Sequence, residues 1–237
     1  MASFLRGALV EFMPTGLIPV PNIIAFQYNP ESMTHTWSTA QPDAAPSPNS
    51  AETINPLAVK GNPGESFSFT MALDAADTIA DGAVSASLAE VSGVYSRLAA
   101  LEMLMFPASA TTGGLLGTVT AAIGSALGAA TSSGPQATVP ANSLNTVLFV
   151  WGPGRILPVR VTALTVTEKL YDTALNPTHA DVQITLRVLT QEELKHDTDL
   201  LAGLASTASS YTQGLREALA VANLINTAES VLGMLPV

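Results

Sequence analysis

Alternating apolar and polar positions predict most of the strands of this chain. The clearest alternation lies at residues 66–73, where Phe67, Phe69, Met71 and Leu73 are separated by small or polar residues. Because successive side chains of a strand point to opposite faces of its sheet, this pattern predicts a strand with one buried face. The same period predicts strands at residues 4–12, 22–28, 33–38, 147–151, 156–169 and 181–190.

One of these strands changes the parity of its apolar positions. They fall at Val159 and Val161 and then at Leu164 and Val166, so the buried face shifts near Ala163. One extra residue in one strand of an antiparallel pair produces such a shift. We therefore predict a β-bulge near Ala163.

Apolar residues recur at spacings of three and four in the middle of the chain. They run from Leu88 to Met105, which predicts a helix. Ser87 and Glu90 have the spacing of a capping box at its start, and Pro107 is expected to end it.

The last part of the chain, residues 191–237, is predicted to be a helical tail. Thr190 and Glu193 form a second capping box, and the small residues at 206–210 predict a break before a second helix. An amphipathic helix needs a surface that covers its apolar stripe, so packing on its own domain and docking on a neighbouring subunit both remain open. The stripe includes Leu215, Leu219, Ala222, Ile225, Val231, Leu232 and Leu235.

The order of elements predicts the fold class. Three strands, a helix and three more strands do not follow the strict alternation of a doubly wound parallel sheet. We therefore predict an α+β fold, in which a curled antiparallel β-sheet or small barrel at residues 1–190 packs one helix and precedes the helical tail at 191–237.

Two segments interrupt this pattern. Residues 40–64 contain five prolines and are expected to form a loop or arm, suited to clasping a neighbouring subunit. No charged residue occurs in the fifty-two positions between Glu102 and Arg155. Within this stretch, residues 113–130 could insert into a membrane, but Gly, Ala, Ser and Thr dominate and give little transfer energy. A weakly helical insertion at residues 107–143 is the favoured interpretation.

Composition and charge exclude several function classes. The chain has 237 residues, a formal net charge of −10 and no cysteine. An acidic chain with few basic residues does not displace counterions from a phosphate backbone, so we expect no nucleic-acid partner. Without cysteine, disulfides, thiolate zinc sites and cysteine nucleophiles are excluded.

The three histidines do not predict a site. His35 alternates with Met33 and Trp37, which favours a core or interface position. Two further pairs carry potential ligands, but a metal site needs three or four converging ligands. These pairs are His179 with Asp181 and Glu193 with His196.

Catalytic and phosphate-binding motifs also fail to appear. The chain has no GxSxG elbow and no Walker motif, and the glycine turn at residues 152–155 is interpreted as a hairpin connection. The acidic run of Asp74, Asp77 and Asp81 does not match an EF-hand. We therefore expect no catalytic residue, no cofactor and no bound metal, which favours a structural or binding role.

Three short segments carry a resemblance to a known family. Residues 24–32 (Ile-Ala-Phe-Gln-Tyr-Asn-Pro-Glu-Ser), followed by alternation up to Trp37, resemble the opening motif of contractile injection system tube-type proteins. The strand at residues 66–74 and the Val-Leu-Phe-Val-Trp-Gly run at 147–152 resemble later strands of that family. Including the strands that follow, the resemblance extends over roughly residues 4–190. Family members typically carry a LysM module behind this domain, and the helical tail stands in its place here.

The resemblance implies a non-enzymatic structural subunit of the baseplate of a phage-tail-like particle. It would form a homo-hexamer and join the inner tube and spike hub to the baseplate wedge proteins. Assembly in the cytoplasm is expected, with the finished particle either retained or released. An inner-tube or tube-initiator subunit is an alternative, and so is a membrane-active accessory protein that inserts residues 113–130.

A few residues are expected to form the interfaces of such a subunit. The first strand and turn would be shaped by Phe26, Tyr28, Asn29 and Pro30. The two tryptophans would anchor the core or an interface. The helical tail would dock on a neighbour. The tryptophans are Trp37 and Trp151, and the tail residues are Leu215, Leu219, Ile225 and Leu232.

Overall fold

The computed structural model describes residues 5–13, 20–39, 41–42, 59–80, 84–106, 144–195 and 202–234. The predicted insertion at 107–143, including 113–130, and most of the proline-rich arm lie outside the described residues. The same holds for the side chains of Ile225 and Leu232.

The described residues form nine strands and five helices. The strands are β1 (Ala8–Met13), β2 (Val20–Ala25), β3 (Met33–Ser38), β4 (Gln41–Pro42), β5 (Val59–Lys60), β6 (Gly64–Asp74), β7 (Val147–Val150), β8 (Ile156–Tyr171) and β9 (Pro177–Val188). The helices are α1 (Ala75–Ala80), α2 (Val84–Ser92), α3 (Tyr95–Met103), α4 (Gln191–Lys195) and α5 (Ala202–Met234).

Seven strands build one antiparallel sheet in the order β2-β1-β7-β8-β9-β6-β3. Strands β4 and β5 pair separately, at the base of the proline-rich arm. The predicted α+β class is confirmed. The sheet is not closed into a barrel, because β2 and β3 form its two outer edges in the described part of the chain.

The connection between these edges shows that the sheet is strongly curled. In a flat sheet, six inter-strand spacings would separate β2 from β3 by roughly 29 Å. Strands β2 and β3 nevertheless follow one another in the chain. The short connection between them, residues 26–32, contacts both sides of the gap between the two outer edges, which we call the opening of the sheet. The backbone N–H of Phe26 donates to the carbonyl oxygen of Gly7 beside β1, at 2.8 Å, and the side chain of Gln27 bonds Asp74 at the end of β6.

The main core lies inside this curl. Helix α3 packs across it and contributes Val94, Leu98, Leu101 and Leu104. A smaller apolar cluster lies on the other face of the sheet, where Leu148 of β7 meets the helices at the end of the chain. The sheet contributes Leu9, Phe67, Phe69, Met71, Leu73, Val147, Phe149, Leu157, Val159, Val161, Ala180, Val182, Ile184, Leu186 and Val188 to the main core.

The β-bulge is where the parity of the apolar residues predicted it. Val161 lies opposite Leu186, and Ala163 lies opposite Thr185, so Thr162 is the extra residue in β8. The predicted bulge near Ala163 is confirmed, as is the hairpin connection at residues 152–155, which joins β7 to β8.

The predicted single helix between Leu88 and Met105 is wrong, because the chain forms two helices there. Gly93 separates them with a φ of +58°, and a Cβ at this position would lie 2.2 Å from the carbonyl oxygen of Pro177. The backbone N–H of Val94 donates to the same oxygen at 2.8 Å. This contact with the β8–β9 turn interrupts the helix. The capping box expected at Ser87 is also wrong, since α2 already begins at Val84.

The end of the chain contains one confirmed and one incorrect prediction. The capping box at Thr190 is confirmed, since its N–H donates to the Glu193 carboxylate at 2.9 Å and its hydroxyl accepts from the Glu193 N–H at 3.3 Å. The break at residues 206–210 is wrong, because α5 runs through it without interruption. The small side chains of Ala205 and Ala208 are buried there and let the helix approach the sheet closely.

Candidate interaction surfaces

The turn at residues 26–30 holds the opening of the curled sheet together. Phe26 is 2% exposed and packs its ring against Phe69 of β6 and Trp151 after β7, with ring centroids 5.4 and 6.2 Å away. A Cβ on Gly7 would lie 2.7 Å from the Phe26 ring, so this position requires glycine. The packing therefore bridges the two sides of the opening.

Two amide side chains continue this bridge. Gln27 accepts from the backbone N–H of Asp74 at 2.9 Å and donates to its carbonyl oxygen at 2.8 Å. Asn29 accepts from the N–H of Gly7 and donates to the carbonyl oxygen of Leu5, both at 2.9 Å. Gln27 thus bonds the two backbone polar groups of Asp74 on one side of the opening, and Asn29 bonds backbone groups of Leu5 and Gly7 on the other side. Tyr28, between them, is exposed.

The other predicted turn residue and the two tryptophans occupy different surroundings. Pro30 is half-buried at the end of the turn. Trp151 is half-buried and packs on Phe26 and on Phe149 of the main core. Trp37 is 48% exposed at the edge strand β3, with the guanidinium of Arg216 5.0 Å from its ring centroid. Trp151 therefore serves the core, and Trp37 lies at the surface.

A polar cluster around Glu65 was not predicted from the sequence. Glu65 is 7% exposed, and its carboxylate accepts two hydrogen bonds from Arg216 of α5, at 2.9 and 2.5 Å. The Nε2 atom of His35 lies 2.9 Å from the same carboxylate, and its ring stacks on Phe67 at 4.3 Å. This cluster fastens α5 to strands β3 and β6.

Arg155 adds a second guanidinium to this region. It lies over the Phe67 ring, 5.2 Å from its centroid, and has no hydrogen-bond partner for its side chain among the described residues. Burial and the nearby Arg216 lower the pKa of Arg155, while Glu65 opposes the shift. Arg155 and Arg216 therefore lie close enough for each to feel the other's charge, and Glu65 bonds Arg216.

Helix α5 packs on its own domain at its start and is exposed further along. The Thr212 hydroxyl donates to the carbonyl oxygen of Ile156 and accepts from its N–H, at 2.8 and 3.1 Å. Leu215 is half-buried beside Gly154. Leu219 lies one turn later on the same helix face but is 62% exposed, and residues 217–223 are all exposed. The helix thus extends past the surface that its first half covers.

The turn between β8 and β9, residues 170–176, is called the hairpin tip here. Leu170 and Leu175 have φ values of +53° and +64° and are 72% and 79% exposed. A left-handed conformation costs an L-residue with a side chain about 1–2 kcal/mol. Asp172 holds the turn, since its carboxylate accepts from the N–H groups of Ala174 and Asn176, both at 2.8 Å. Hydrogen bonds from Asn176 and Ala174 lower the pKa of Asp172.

Exposed apolar residues of α2 and α3 adjoin the hairpin tip. The Asn176 side chain donates to the carbonyl oxygen of Val91 at 3.0 Å, which fixes the helices beside the turn. The exposed apolar side chains of this end are Leu88, Val91, Tyr95, Leu170, Tyr171 and Leu175.

The predicted ligand pair His179 and Asp181 lies in an ion-pair network. His179 Nδ1 lies 3.2 Å from an Asp74 carboxylate oxygen, and Asp181 pairs with Lys169. The hydrogen bond from Lys169 lowers the pKa of Asp181, although burial acts against it. Within the described part of the chain, no group of three or more His, Cys, Asp and Glu side chains is arranged to hold a metal ion.

Two clefts open beside the turn at residues 26–30. Their volumes are about 280 and 180 Å³, and the larger is lined by Arg6, Gln27, Tyr28, Asp77 and Ala80. Both are smaller than the 300–1,000 Å³ that is usual for small-molecule sites.

Neither a protein-family model nor a curated protein matches the chain. Across the residues that the structure describes, no helix is both long and apolar enough to cross a membrane.

Proposed function

We propose that the protein is a non-enzymatic, ring-forming structural subunit of a contractile, phage-tail-like injection particle. It would assemble as a homo-hexamer and join the inner tube and spike hub to the baseplate wedges. An inner-tube or tube-initiator subunit would use the same self-association.

The observation that carries this proposal is the unpaired edge of β8. Strand β7 pairs only with Ile156–Val159, so residues 160–171 of β8 pair with β9 alone in the described part of the chain. This edge is about 40 Å long at 3.3 Å per residue. An exposed strand edge tends to pair with a further strand unless another part of the protein covers it. In a ring, a neighbouring copy of the chain can cover the β8 edge.

The geometry of residues 24–32 supports the family resemblance in physical terms. The Phe, Gln and Asn of this segment are the three residues that bridge the opening of the curled sheet. These three side chains would therefore set the curvature of a sheet that takes its place in a ring. The resemblance itself remains the basis for choosing this particle.

The edge can be tested with charged substitutions on the polar face of β8. Thr165 and Thr167 are exposed, and lysine at both positions should hinder a strand from pairing there while leaving the core intact. Gln183→Lys is the matched control, because Gln183 is exposed, lies directly opposite Thr165 and is paired on both sides, with β8 and with β6. Native mass spectrometry should show hexamers for wild type and Q183K, and monomers for T165K/T167K. A wild-type protein that stays monomeric, also with its particle partners present, would contradict the proposal.

The exposed half of α5 is tested separately by a stop after Glu217. This truncation keeps Thr212, Leu215 and Arg216, which contact the domain, and removes residues 218–237. Circular dichroism should show that the truncated domain is folded. We expect this protein to be absent from assembled particles. Intact particles that contain the truncated protein would contradict a docking role for the second half of α5.

A further inference from the structure

The two ends of strand β8 differ in charge. Arg155 precedes the strand and lies near Arg216, so two guanidinium groups and one buried carboxylate, Glu65, meet at this end in the described part of the chain. The exposed rings of Trp37 and Tyr211 border this region, and the Tyr211 hydroxyl donates to the carbonyl oxygen of Pro153 in the adjoining turn. We name Arg155, Arg216, Trp37 and Tyr211 the arginine–aromatic surface. Arg, Trp and Tyr are the residue types enriched at binding hot spots.

The opposite end of β8 is acidic and apolar. Asp172 lies in the hairpin tip, Glu168 lies just before it on β8, and Glu90 lies beside it on α2. Lys169 also lies at this end, and it pairs with Asp181. The exposed leucines of the hairpin tip lie among these charges.

These two surfaces lie at opposite ends of strand β8. Its sixteen residues follow a path of roughly 50 Å along the curled sheet at 3.3 Å per residue. Charges at this distance are screened, since the Debye length is about 8 Å at physiological ionic strength. The charge difference is therefore available to contacts between molecules.

The conformation of the tip adds a second argument. Leu170 and Leu175 both adopt left-handed backbone conformations that leucine disfavours, and both side chains point into solvent. Asn or Gly would fit these positions with less strain. Strained residues held in place by local hydrogen bonds are typical of binding surfaces.

We propose that the hairpin tip of one copy docks on the arginine–aromatic surface of a second copy. The leucines of the tip pack against Trp37 and Tyr211, and the acidic side chains of this end face Arg155. The contact is heterologous, because each copy contributes a different surface, so it propagates head to tail. The docking contact rests on the proposed function, because that function requires self-association. It uses side chains at the far end of β8 and beyond, whereas the β8 edge pairs through its backbone.

Charge reversal on each surface, followed by mixing, tests the contact. Arg155→Glu makes the arginine–aromatic surface acidic, and Glu168→Arg makes the tip less acidic. Each variant alone should lose about tenfold or more in self-association by sedimentation velocity, because like charges then face each other. A mixture of R155E and E168R should associate again, since the reversed surfaces complement one another. Unchanged association of the single variants, or no recovery in the mixture, would overturn the proposal.

Lys195→Glu is the matched control for the first variant. Lys195 is exposed at the end of α4, outside both the arginine–aromatic surface and the β8 edge. The substitution introduces the same change from a positive to a negative charge. We expect K195E to associate like wild type, and a loss equal to that of R155E would show a general charge effect and refute the specific contact.

Leu175→Asn separates docking from folding. Because asparagine tolerates a positive φ, the variant should melt at a higher temperature than wild type while associating more weakly. Association equal to wild type would contradict the role of the tip. If these variants all associate normally while T165K/T167K does not, the docking contact fails and the proposed ring subunit stands.

Discussion

Two turns of this protein use their side chains in opposite ways. The turn at residues 26–30 buries Phe26, and two of its amide side chains form hydrogen bonds with backbone groups of other segments. The hairpin tip exposes its leucines and uses the Asp172 carboxylate on its own backbone. The first turn therefore stabilises the fold, whereas the second is stabilised locally and leaves its apolar side chains available to a partner.

Phe26→Ala should have the largest effect, because it removes the ring that bridges the opening of the sheet. Truncating a buried phenylalanine typically costs about 3–5 kcal/mol. We expect a loss of this size in the free energy of unfolding, measured by urea denaturation. Tyr28→Ala is the control, since Tyr28 belongs to the same turn but is exposed. A similar loss for both variants would mean that burial does not distinguish the side chains of this turn.

Asn29→Ala should have an intermediate effect. It leaves the N–H of Gly7 and the carbonyl oxygen of Leu5 without the side chain that bonds both. We expect a loss of about 1–2 kcal/mol, since these groups are only partly buried and water can replace one of the bonds. Asn29→Asp should lose less, because a carboxylate still accepts from Gly7. If urea denaturation gave N29A and wild type the same free energy of unfolding, Gln27 and Phe26 would be sufficient to hold the turn in place.

The contrast between the turns also shows what the sequence could predict. The strands, the bulge near Ala163 and the capping box at Thr190 are local patterns of periodicity or spacing, and all are found in the structure. The strand expected at residues 22–28 ends at Ala25, so the turn begins earlier than the pattern predicted. Gln27 carries no sequence signal of its role, because its partner Asp74 lies 47 residues away.

The errors and omissions have the same physical origin. The helix break at Gly93 depends on Pro177, which is close only after the β8–β9 hairpin has formed. The pair of Glu65 and Arg216 joins residues 151 positions apart and leaves no periodic signal. The tip leucines give no sequence signal, since their positive φ values follow from how the hairpin closes. Contacts between distant segments, rather than local propensity, decided each case.

Leu170→Asn should change stability in the opposite direction from the substitutions in the first turn. Leu170 is exposed with a positive φ, so little packing is lost and backbone strain is relieved. A gain of about 1 kcal/mol is expected, because asparagine is favoured over other non-glycine residues in this conformation. Thermal unfolding would measure the gain. Leu164→Asn on the same strand is the control and should destabilise, since Leu164 packs against the main core.

The smallest effect is expected for Asp172, whose contribution should depend on pH. Hydrogen bonds to its carboxylate lower the pKa in the folded state. A lowered carboxyl pKa stabilises the fold above the unfolded value of about 3.9, and this stabilisation is lost as the pH falls through the folded pKa. The difference in melting temperature between wild type and Asp172→Asn should therefore be present at pH 7 and shrink at pH 3. The carboxylate is exposed, so the difference at neutral pH should be small. A difference that stays constant over this range would mean that asparagine perturbs the turn sterically, and that the charge of Asp172 does not hold the tip in its strained conformation.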